Sequence, residues 1–384
     1  MFTKDCAKFT CFESLSDPRR PFANLRHQLL DIIVLALCAT IANCEAWEDI
    51  EDFGNQRIKW LRKYVPLKHG IPSHDTIGRV ISRLDTPAFH ACLQNWIDSI
   101  QLDLTGKGIH VDGKTARHSF DTASNQAAMH MVSAWVDELS LCLGQLATEE
   151  KSNEITAVPM LLELINIKGG VVTLDAMNCQ QKTVEKIIDQ EADYVITVKD
   201  NQPGLAAAIA DRFEDYFENG QRDRSVRSHR RESRSRGRLT DQTVTVAAVP
   251  KQIREMGKWK GIRAIGMVYR HREAVDAGSP RAIPESDNVP YFISSLPPVA
   301  SRISKYTGRH WTVENSPNWT LDVTFTEDKS RIRKGSAPAI MGGLRRFVLS
   351  LLKRDTSQPK TSMRRKRLRA ALNTDILEAI FAAI

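Results

Sequence analysis

Hydrophobic residues in the first quarter of the chain recur at the spacing of α-helices. An apolar run from Ile32 to Ala42 comes first, and later hydrophobic residues follow one another three or four positions apart. This pattern predicts a helical N-terminal domain over residues 21–104. The polar segment before it, residues 1–20, is interpreted as a short lead-in.

Beyond residue 105 the pattern changes to short apolar runs that are typical of β-strands. The predicted strands are Ile109–Gly113, His130–Val136, Leu141–Ala147, Val171–Asp175 and Tyr194–Lys199. The first three are joined by short turns, which favours antiparallel pairing, whereas helices precede the fourth and fifth, which favours parallel pairing. We therefore expect a mixed sheet. Its strand order resembles that of the ribonuclease H-like fold, in which the ends of the first and fourth strands are neighbours.

An arginine-rich segment interrupts this pattern between Gln221 and Arg238 and contains eight arginines. Further strands are predicted after it at Thr240–Val249, Arg263–Arg270 and Tyr291–Ser295. We interpret the region from about 205 to about 290 as a β-rich insertion within a domain that covers residues 105–354. The remaining residues, 355–384, are expected to form a basic C-terminal tail.

The amino-acid composition does not change the predicted fold, but it bears on the partner and the compartment. The chain has 384 residues with 54 Lys and Arg against 46 Asp and Glu, a formal charge of +8 that fits a polyanionic partner. Seven cysteines without a C-x-x-C spacing favour reduced thiols in a cytosol. The N-terminal segment lacks the pattern of a signal peptide, and the longest apolar run is shorter than the ~20 residues that cross a bilayer. We therefore expect a cytoplasmic protein with no membrane association.

Two predicted strands end on an aspartate. Asp112 ends the first strand and Asp175 ends the fourth. Phosphodiester cleavage and transfer can use two metal ions, and Mg²⁺ prefers oxygen ligands such as carboxylates. A single aspartate after a strand more often starts a turn or caps a helix. Two aspartates at neighbouring strand ends instead favour a metal site.

The third acidic ligand stays open when only the residues are considered. The alternatives are Glu314, Asp322, Glu327 and Asp328. Asp322 lies in an alternating segment, Leu321–Phe325, that fits a strand with one solvated face. Glu327 and Asp328 have basic neighbours, so surface ion pairing would explain them. Glu314 has aromatic and basic neighbours instead.

Three stretches of the chain resemble the H-repeat-associated family of bacterial insertion-sequence transposases, which belong to the DDE class. They are Gly70–Thr76 with Gly78–Val80, Asp112–Arg117, and His310–Asn315 continuing through Trp319–Asp328 to Arg331. Shorter similarities occur at Thr173–Ala176 and Lys199–Pro203. Together the similar stretches extend from about residue 17 to about residue 354.

The resemblance implies that Asp112, Asp175 and Glu314 form the catalytic acidic triad and bind Mg²⁺, for which Mn²⁺ can substitute. It implies a ribonuclease H-like catalytic domain that cleaves DNA at the ends of a mobile element and transfers the strands to target DNA. The expected partner is double-stranded DNA, bound at the bacterial nucleoid by a homodimer or a higher assembly, with the helical N-terminal domain taking part in binding. The residues expected to contact DNA are Lys114, Arg117, Lys199, Gln202, Arg236, Arg238, Arg309, His310 and Arg331.

Two positions depart from the family pattern and keep alternatives open. Pro317 and Asn318 stand where the family usually has Leu and His, and Arg238 is followed by residues unlike those of the family. A proline three residues after Glu314 is expected to kink or end the helix there. One alternative is a catalytically decayed, transposase-derived DNA-binding protein. A second is a ribonuclease H-like nuclease that cuts without joining, which the long insertion disfavours.

Overall fold

A computed structural model describes residues 9–20, 25–120, 127–148, 154–235, 238–274, 289–313 and 317–381. For residues 235, 238, 272–274 and 309–313 it describes the backbone alone. The chain divides into two compact units. Unit 1 comprises Met1–Asp103, Gly113–Ala157 and Glu314–Ile384, and unit 2 comprises Leu104–Asp112 and Val158–Val313.

The helices and strands alternate along the chain as follows. The helices are α1 (Leu29–Ile41), α2 (Trp47–Leu61), α3 (His74–Ile81), α4 (Thr86–Ser99), α5 (Glu154–Leu164), α6 (Gln181–Asp189), α7 (Pro203–Glu218), α8 (Lys251–Glu255), α9 (Ala300–Val313), α10 (Trp319–Val323), α11 (Ala337–Arg354), α12 (Met363–Leu372) and α13 (Thr374–Phe381). The strands are β1 (Gly108–Thr115), β2 (His130–Val136), β3 (Leu141–Thr148), β4 (Val171–Leu174), β5 (Asp193–Val198), β6 (Arg227–Ser235), β7 (Arg238–Ala248), β8 (Ala264–Ala274) and β9 (Tyr291–Ser294).

The strands form a mixed sheet in the order β3-β2-β1-β4-β5-β9-β8-β7-β6. Strands β2 and β3 pair antiparallel, whereas β4 pairs parallel with both β1 and β5. Strands β5, β9, β8, β7 and β6 then pair antiparallel in succession. The prediction of an α/β protein with a mixed sheet is therefore confirmed, and each predicted strand of the first five is present.

Unit 1 has a helical core that follows from its apolar segments. Twelve residues of α1 are buried, which is expected of a helix that is hydrophobic on all sides. The long helix α11 packs against α1, α4 and β3 and is buried over most of its length. At the end of the chain, α13 buries Leu377, Ile380 and Phe381. The segment from residue 355 onward therefore contains two packed helices, α12 and α13.

Unit 2 packs α9 against the sheet through an apolar cluster. The cluster consists of Val171, Val195, Val244, Val246, Ala264, Val268, Phe292, Leu296, Ala300, Ile303 and Tyr306. The arginine-rich segment contributes strand β6, which pairs with β7 over nine residues from Arg227 to Ser235. Sequence reasoning missed this strand because its arginines conceal the alternation of apolar and polar residues on which strand prediction relies.

The segment from Leu321 to Phe325 forms no strand. Residues up to Val323 belong to helix α10, and Leu321 and Phe325 are both fully buried. Two buried residues four positions apart match the helical period, and a five-residue alternation is too short to distinguish it from a strand. The expectation of a strand was wrong at this point. Within the described residues, none of the helices combines the length and apolarity that crossing a membrane requires.

Candidate functional site

The pairing of β1 with β4 brings Asp112 and Asp175 to corresponding positions. The register is Gly108↔Val171, Ile109↔Val172 and His110↔Thr173. Asp112 and Asp175 each follow the last of these pairs by two residues. Side chains two residues apart on an extended strand share a face, and Asp175 has an extended backbone with φ −68° and ψ 162°. The two aspartates therefore lie on one face of the parallel pair, Asp175 directly after the end of β4 and Asp112 within β1. The prediction that the first strand ends at Asp112 was wrong, because β1 continues to Thr115.

His110 and Thr173 connect the two strands on this same face. The imidazole Nδ1 of His110 lies 2.7 Å from the hydroxyl of Thr173, and the His110 side chain is fully buried. The hydrogen bond joins the residues that lie two positions before Asp112 and Asp175, on the same face of each strand. It therefore fixes the register at the point where the candidate ligands begin.

Helix α9 lies on the face that carries the aspartates. A Cβ atom added to Gly108 would lie 3.4 Å from Cδ1 of Tyr306, and the Tyr306 hydroxyl donates a hydrogen bond to the carbonyl of Gly106 at 2.9 Å. The described part of α9 ends at Val313, directly before Glu314. Glu314 itself lies outside the described residues, as do the side chains of Arg309 and His310.

A pocket opens between β4 and α9 beside this face. It is open to solvent and is lined by Thr173, Leu174, Val195, Thr197, Val268, Arg270, Pro290, Tyr291, Phe292, Tyr306 and Thr307. Arg270 is the charged member of the lining, and its guanidinium donates to the carbonyl of Thr307 at 3.2 Å. A cation is thus held against α9 near the end of β4, where it would favour an anionic ligand.

In unit 1, the ammonium of Lys114 binds three of the acids that were alternatives for the third ligand. Its Nζ lies 2.6 Å from Asp322, 3.1 Å from Glu327 and 3.2 Å from Asp328. Glu327 also lies 2.9 Å from Arg346, and both of these side chains are almost fully buried. These contacts stabilise the carboxylates as parts of ion pairs. They also give the predicted DNA contact Lys114 three protein partners and leave it only 8% exposed.

Burial alone would raise the pKa of the Glu327 carboxyl, but Arg346 and Lys114 outweigh this effect and lower the pKa to about 2. Glu327 is thus a carboxylate at neutral pH whose charge is compensated within the protein. Among the described residues, no group of three or more His, Cys, Asp or Glu side chains is arranged to hold a metal ion. The described part of the candidate metal site therefore consists of the aspartate pair.

The other predicted DNA contacts lie in varied surroundings. Arg117 is 80% exposed and lies 3.7 Å from Asp328, and Lys199 and Arg331 are exposed. Gln202 donates its amide to the carbonyl of Cys179 at 2.9 Å. Arg236 lies outside the described residues, and Arg238 begins β7 with only its backbone described.

The structure shows which arginines of the Gln221–Arg238 segment lie exposed on a strand. Arg227, Arg230, Arg231 and Arg234 lie exposed on β6, the edge strand of the sheet. Arg230 is paired with Asp241 at 2.7 Å. Asp241 lies on the neighbouring strand β7 and compensates the charge of Arg230. The sequence around Arg230 does not reveal this contact, so the arginines of the run look alike in sequence.

Two protein-family models match this chain. The description "DDE_Tnp_1-associated" applies to residues 9–97, and "Transposase DDE domain" applies to residues 95–351. The second match covers more than half of the chain and contains both Asp112 and Asp175. The aspartate pair thus lies within the segment whose pattern is that of a transposase DDE domain.

Similar proteins span nearly the whole chain. A protein named "Putative transposase YncI" from Escherichia coli O157:H7 is 38% identical over 366 residues, which is 95% of this chain and 92% of the relative. A protein named "H repeat-associated putative transposase YhhI" from Escherichia coli K12 is 37% identical over 360 residues, covering 93% of each. A solved piggyBac transposase synaptic complex with hairpin DNA aligns with 99% of this chain and 79% of that chain, at 10% identity and a TM-score of 0.42.

Proposed function

This chain belongs to the family of transposases with a DDE domain, and we propose that it cuts DNA at the ends of its insertion sequence and joins them to target DNA. The observation that carries this proposal is the position of Asp112 and Asp175 on one face of the parallel strands β1 and β4, each two residues after the paired His110 and Thr173. Paired carboxylates on one face provide the oxygen ligands that phosphodiester chemistry with divalent ions requires.

The catalytic domain is proposed to be ribonuclease H-like. Support comes from the strand order β3-β2-β1-β4-β5, with an antiparallel β2–β3 pair and parallel β1–β4 and β4–β5 pairs. In this order β1 and β4 are neighbours in the sheet, as the first and fourth strands are in the ribonuclease H-like fold. The β-rich strands from β6 to β9 extend the same sheet, which fits an insertion before the third acid.

Asp112, Asp175 and Glu314 are the residues proposed to hold Mg²⁺, or Mn²⁺ in its place. The donor set fits these ions, because clustered carboxylates repel one another and a bound cation removes that repulsion. When bound, the ions would activate the attacking oxygen and stabilise the leaving oxygen. Helix α9 contacts the aspartate face of β1 through Tyr306, and its described part ends at Val313, directly before Glu314, which supports Glu314 as the third ligand.

Double-stranded DNA is the proposed partner, and two element ends would require a dimer or a higher assembly at the nucleoid. The helical N-terminal domain and the predicted contacts Arg117, Lys199 and Arg331 would take part in binding, together with the arginines of β6. Exposed arginines and lysines bind the phosphate backbone without reading sequence. The Lys114 ammonium, by contrast, is proposed to stabilise the acids around it rather than to bind DNA.

The test is a cleavage and joining assay with labelled duplexes that carry the DNA flanking this gene. Wild-type protein is compared with Asp112→Asn, Asp175→Asn and Glu314→Gln in Mg²⁺ and in Mn²⁺. Asp211→Asn, an exposed residue on α7, is the matched control. We expect cutting that depends on metal, that each of the three variants abolishes, and that the control retains.

Other outcomes would contradict different parts of the proposal. Binding to the flanking DNA without cutting in either metal would contradict catalysis while leaving DNA binding intact. Cutting without joining would point to a nuclease. Activity that survives Glu314→Gln would exclude Glu314 as the third ligand while leaving the aspartate pair in place.

A further inference from the structure

Gly113, the residue after Asp112, packs directly against two buried polar side chains. A Cβ atom added to Gly113 would lie 2.4 Å from Oε2 of Glu154 and 2.4 Å from Nε2 of His130. Non-bonded atoms do not approach so closely, so any larger residue would displace the pair. The absence of a side chain at Gly113 therefore allows His130 and Glu154 to contact the backbone of β1.

His130 and Glu154 form a hydrogen-bonded pair that also binds the next residue but one on the strand. Nε2 of His130 lies 3.1 Å from Oε2 of Glu154, and Nδ1 lies 2.9 Å from the hydroxyl of Thr115. His130 is 1% exposed and Glu154 is 4% exposed. Because successive side chains of a strand alternate, Gly113 and Thr115 share one face of β1, and Asp112 points to the other.

The pair thus contacts β1 at Gly113 and Thr115, the first and third residues after Asp112, on the face opposite to the Asp112 side chain. Burying a histidine and a carboxylate is costly, and apolar residues of similar volume would often stabilise a fold as well or better. Core packing alone therefore does not explain why a histidine and a glutamate occupy these two buried positions. Groups that hydrogen-bond a metal ligand fix its orientation and raise metal affinity, and a pair that fixes the adjacent backbone would act on the ligand in the same direction.

We propose that His130 and Glu154 are positioning residues that hold the Asp112–Thr115 segment so that the Asp112 carboxylate faces the metal site. The inference rests on the proposed function, because it takes Asp112 to be a metal ligand. The pair acts through Gly113 and Thr115 and touches neither metal nor DNA. A displacement of about 1 Å in such a ligand can reduce a rate by about two orders of magnitude.

The test separates positioning from packing with a double apolar variant, His130→Leu with Glu154→Leu. This change removes both members of the hydrogen-bonded pair together. His130→Gln is the conservative variant, since its amide can still donate to Glu154. Mn²⁺ binding is measured by calorimetry without DNA, alongside the unfolding temperature and the Mn²⁺ dependence of the cutting rate.

We expect the double variant to unfold at the wild-type temperature or above, while its Mn²⁺ affinity falls about 10-fold. This is the lower end of the range for groups that hydrogen-bond a metal ligand, because the pair acts on Asp112 only through the backbone. The Mn²⁺ concentration for half-maximal cutting should rise by the same factor, and His130→Gln should stay close to the wild type. Should the double variant lose cooperative unfolding, Gly113→Ala provides the same comparison, because its methyl group displaces the pair.

The outcomes distinguish this inference from the proposed function. If the wild type binds Mn²⁺, Asp112→Asn does not, and the folded double variant or Gly113→Ala binds as the wild type does, the positioning role is overturned alone. If Asp112→Asn binds Mn²⁺ as tightly as the wild type, Asp112 is no metal ligand, and the proposed site fails together with the inference.

Discussion

The imidazole Nδ1 of His110 and the hydroxyl of Thr173 lie 2.7 Å apart on paired strands, two residues before Asp112 and Asp175. This hydrogen bond joins β1 to β4 on the face that the two aspartates occupy. It therefore stabilises the register of β1 against β4, and this register determines that the two aspartates lie beside each other. A shift of one residue would turn one of them to the opposite face.

The first prediction concerns the Thr173 hydroxyl. Thr173→Val removes the hydrogen bond and leaves the buried His110 without this partner, at a cost of about 1–3 kcal/mol. We expect denaturant unfolding to show this loss and metal-dependent cutting to require more Mg²⁺. Thr173→Ser keeps the hydroxyl and should behave as the wild type in the Mg²⁺ titration. Equal Mg²⁺ dependence in the two variants would show that the hydroxyl has no part in ordering the site.

The second prediction concerns Glu327, which is buried against Arg346 and Lys114. Glu327→Leu leaves buried cations without a counter-charge and should reduce the free energy of unfolding by about 3–5 kcal/mol. Asp328→Asn, which alters a more exposed carboxylate, should cost less than about 1 kcal/mol. The double variant Glu327→Leu with Arg346→Leu should recover much of the loss in urea unfolding. A double variant no more stable than Glu327→Leu would contradict this pairing.

The third prediction concerns pH. Burial lowers the pKa of His90 from 6.5 to about 4, so below pH 6.5 the unfolded chain binds a proton that the folded protein excludes. Stability should therefore fall as the pH decreases from about 6.5 to about 4. His90→Leu removes the titrating group and should flatten this part of the profile. Urea unfolding at several pH values measures both slopes, and identical slopes would exclude His90 as their source.

The fourth prediction concerns the arginines of β6 as phosphate contacts. Arg234→Glu should weaken binding to duplexes of any sequence and reduce the slope of log affinity against log salt by about one or more. Arg230→Ala should change both quantities less, because Asp241 at 2.7 Å already compensates the Arg230 charge. Fluorescence anisotropy over a salt series provides the comparison. A larger effect from the Arg230 variant than from the Arg234 variant would contradict the assignment of Arg234 as a phosphate contact.

The fifth prediction separates neighbouring cations of α12. Arg367 is fully buried, donates to the carbonyls of Thr324 and Thr40, and lies 4.0 Å from the ring of Phe325. Arg367→Met should therefore cost about 3–5 kcal/mol in thermal or urea unfolding. Arg364 is exposed on the same helix, and Arg364→Met should change stability by less than about 0.5 kcal/mol. Similar losses in both would contradict the assignment of the buried position.

Sequence reasoning predicted the aspartate pair of the candidate site from local signals. The strands that end near Asp112 and Asp175 are runs of apolar and β-branched residues, and such runs report the backbone period directly. The helical spacing of residues 21–104 was equally direct. By contrast, Leu321–Phe325 was too short a segment to reveal its period, and β6 was concealed by arginines on both faces.

The sequence by itself determined the first five strands, the mixed sheet that their connections favour, and the aspartates that follow two of the apolar runs, because each depends on neighbours along the chain. Only the tertiary structure decided which charges are buried. Lys114 meets Asp322 and Glu327 more than 200 positions away, and Arg367 meets Glu45 across more than 300. Whether a charged side chain contacts solvent or a buried partner depends on such distant contacts. A local pattern carries no information about them, so a run such as Arg364–Arg369 looks uniform in sequence and is divided between surface and interior in the fold.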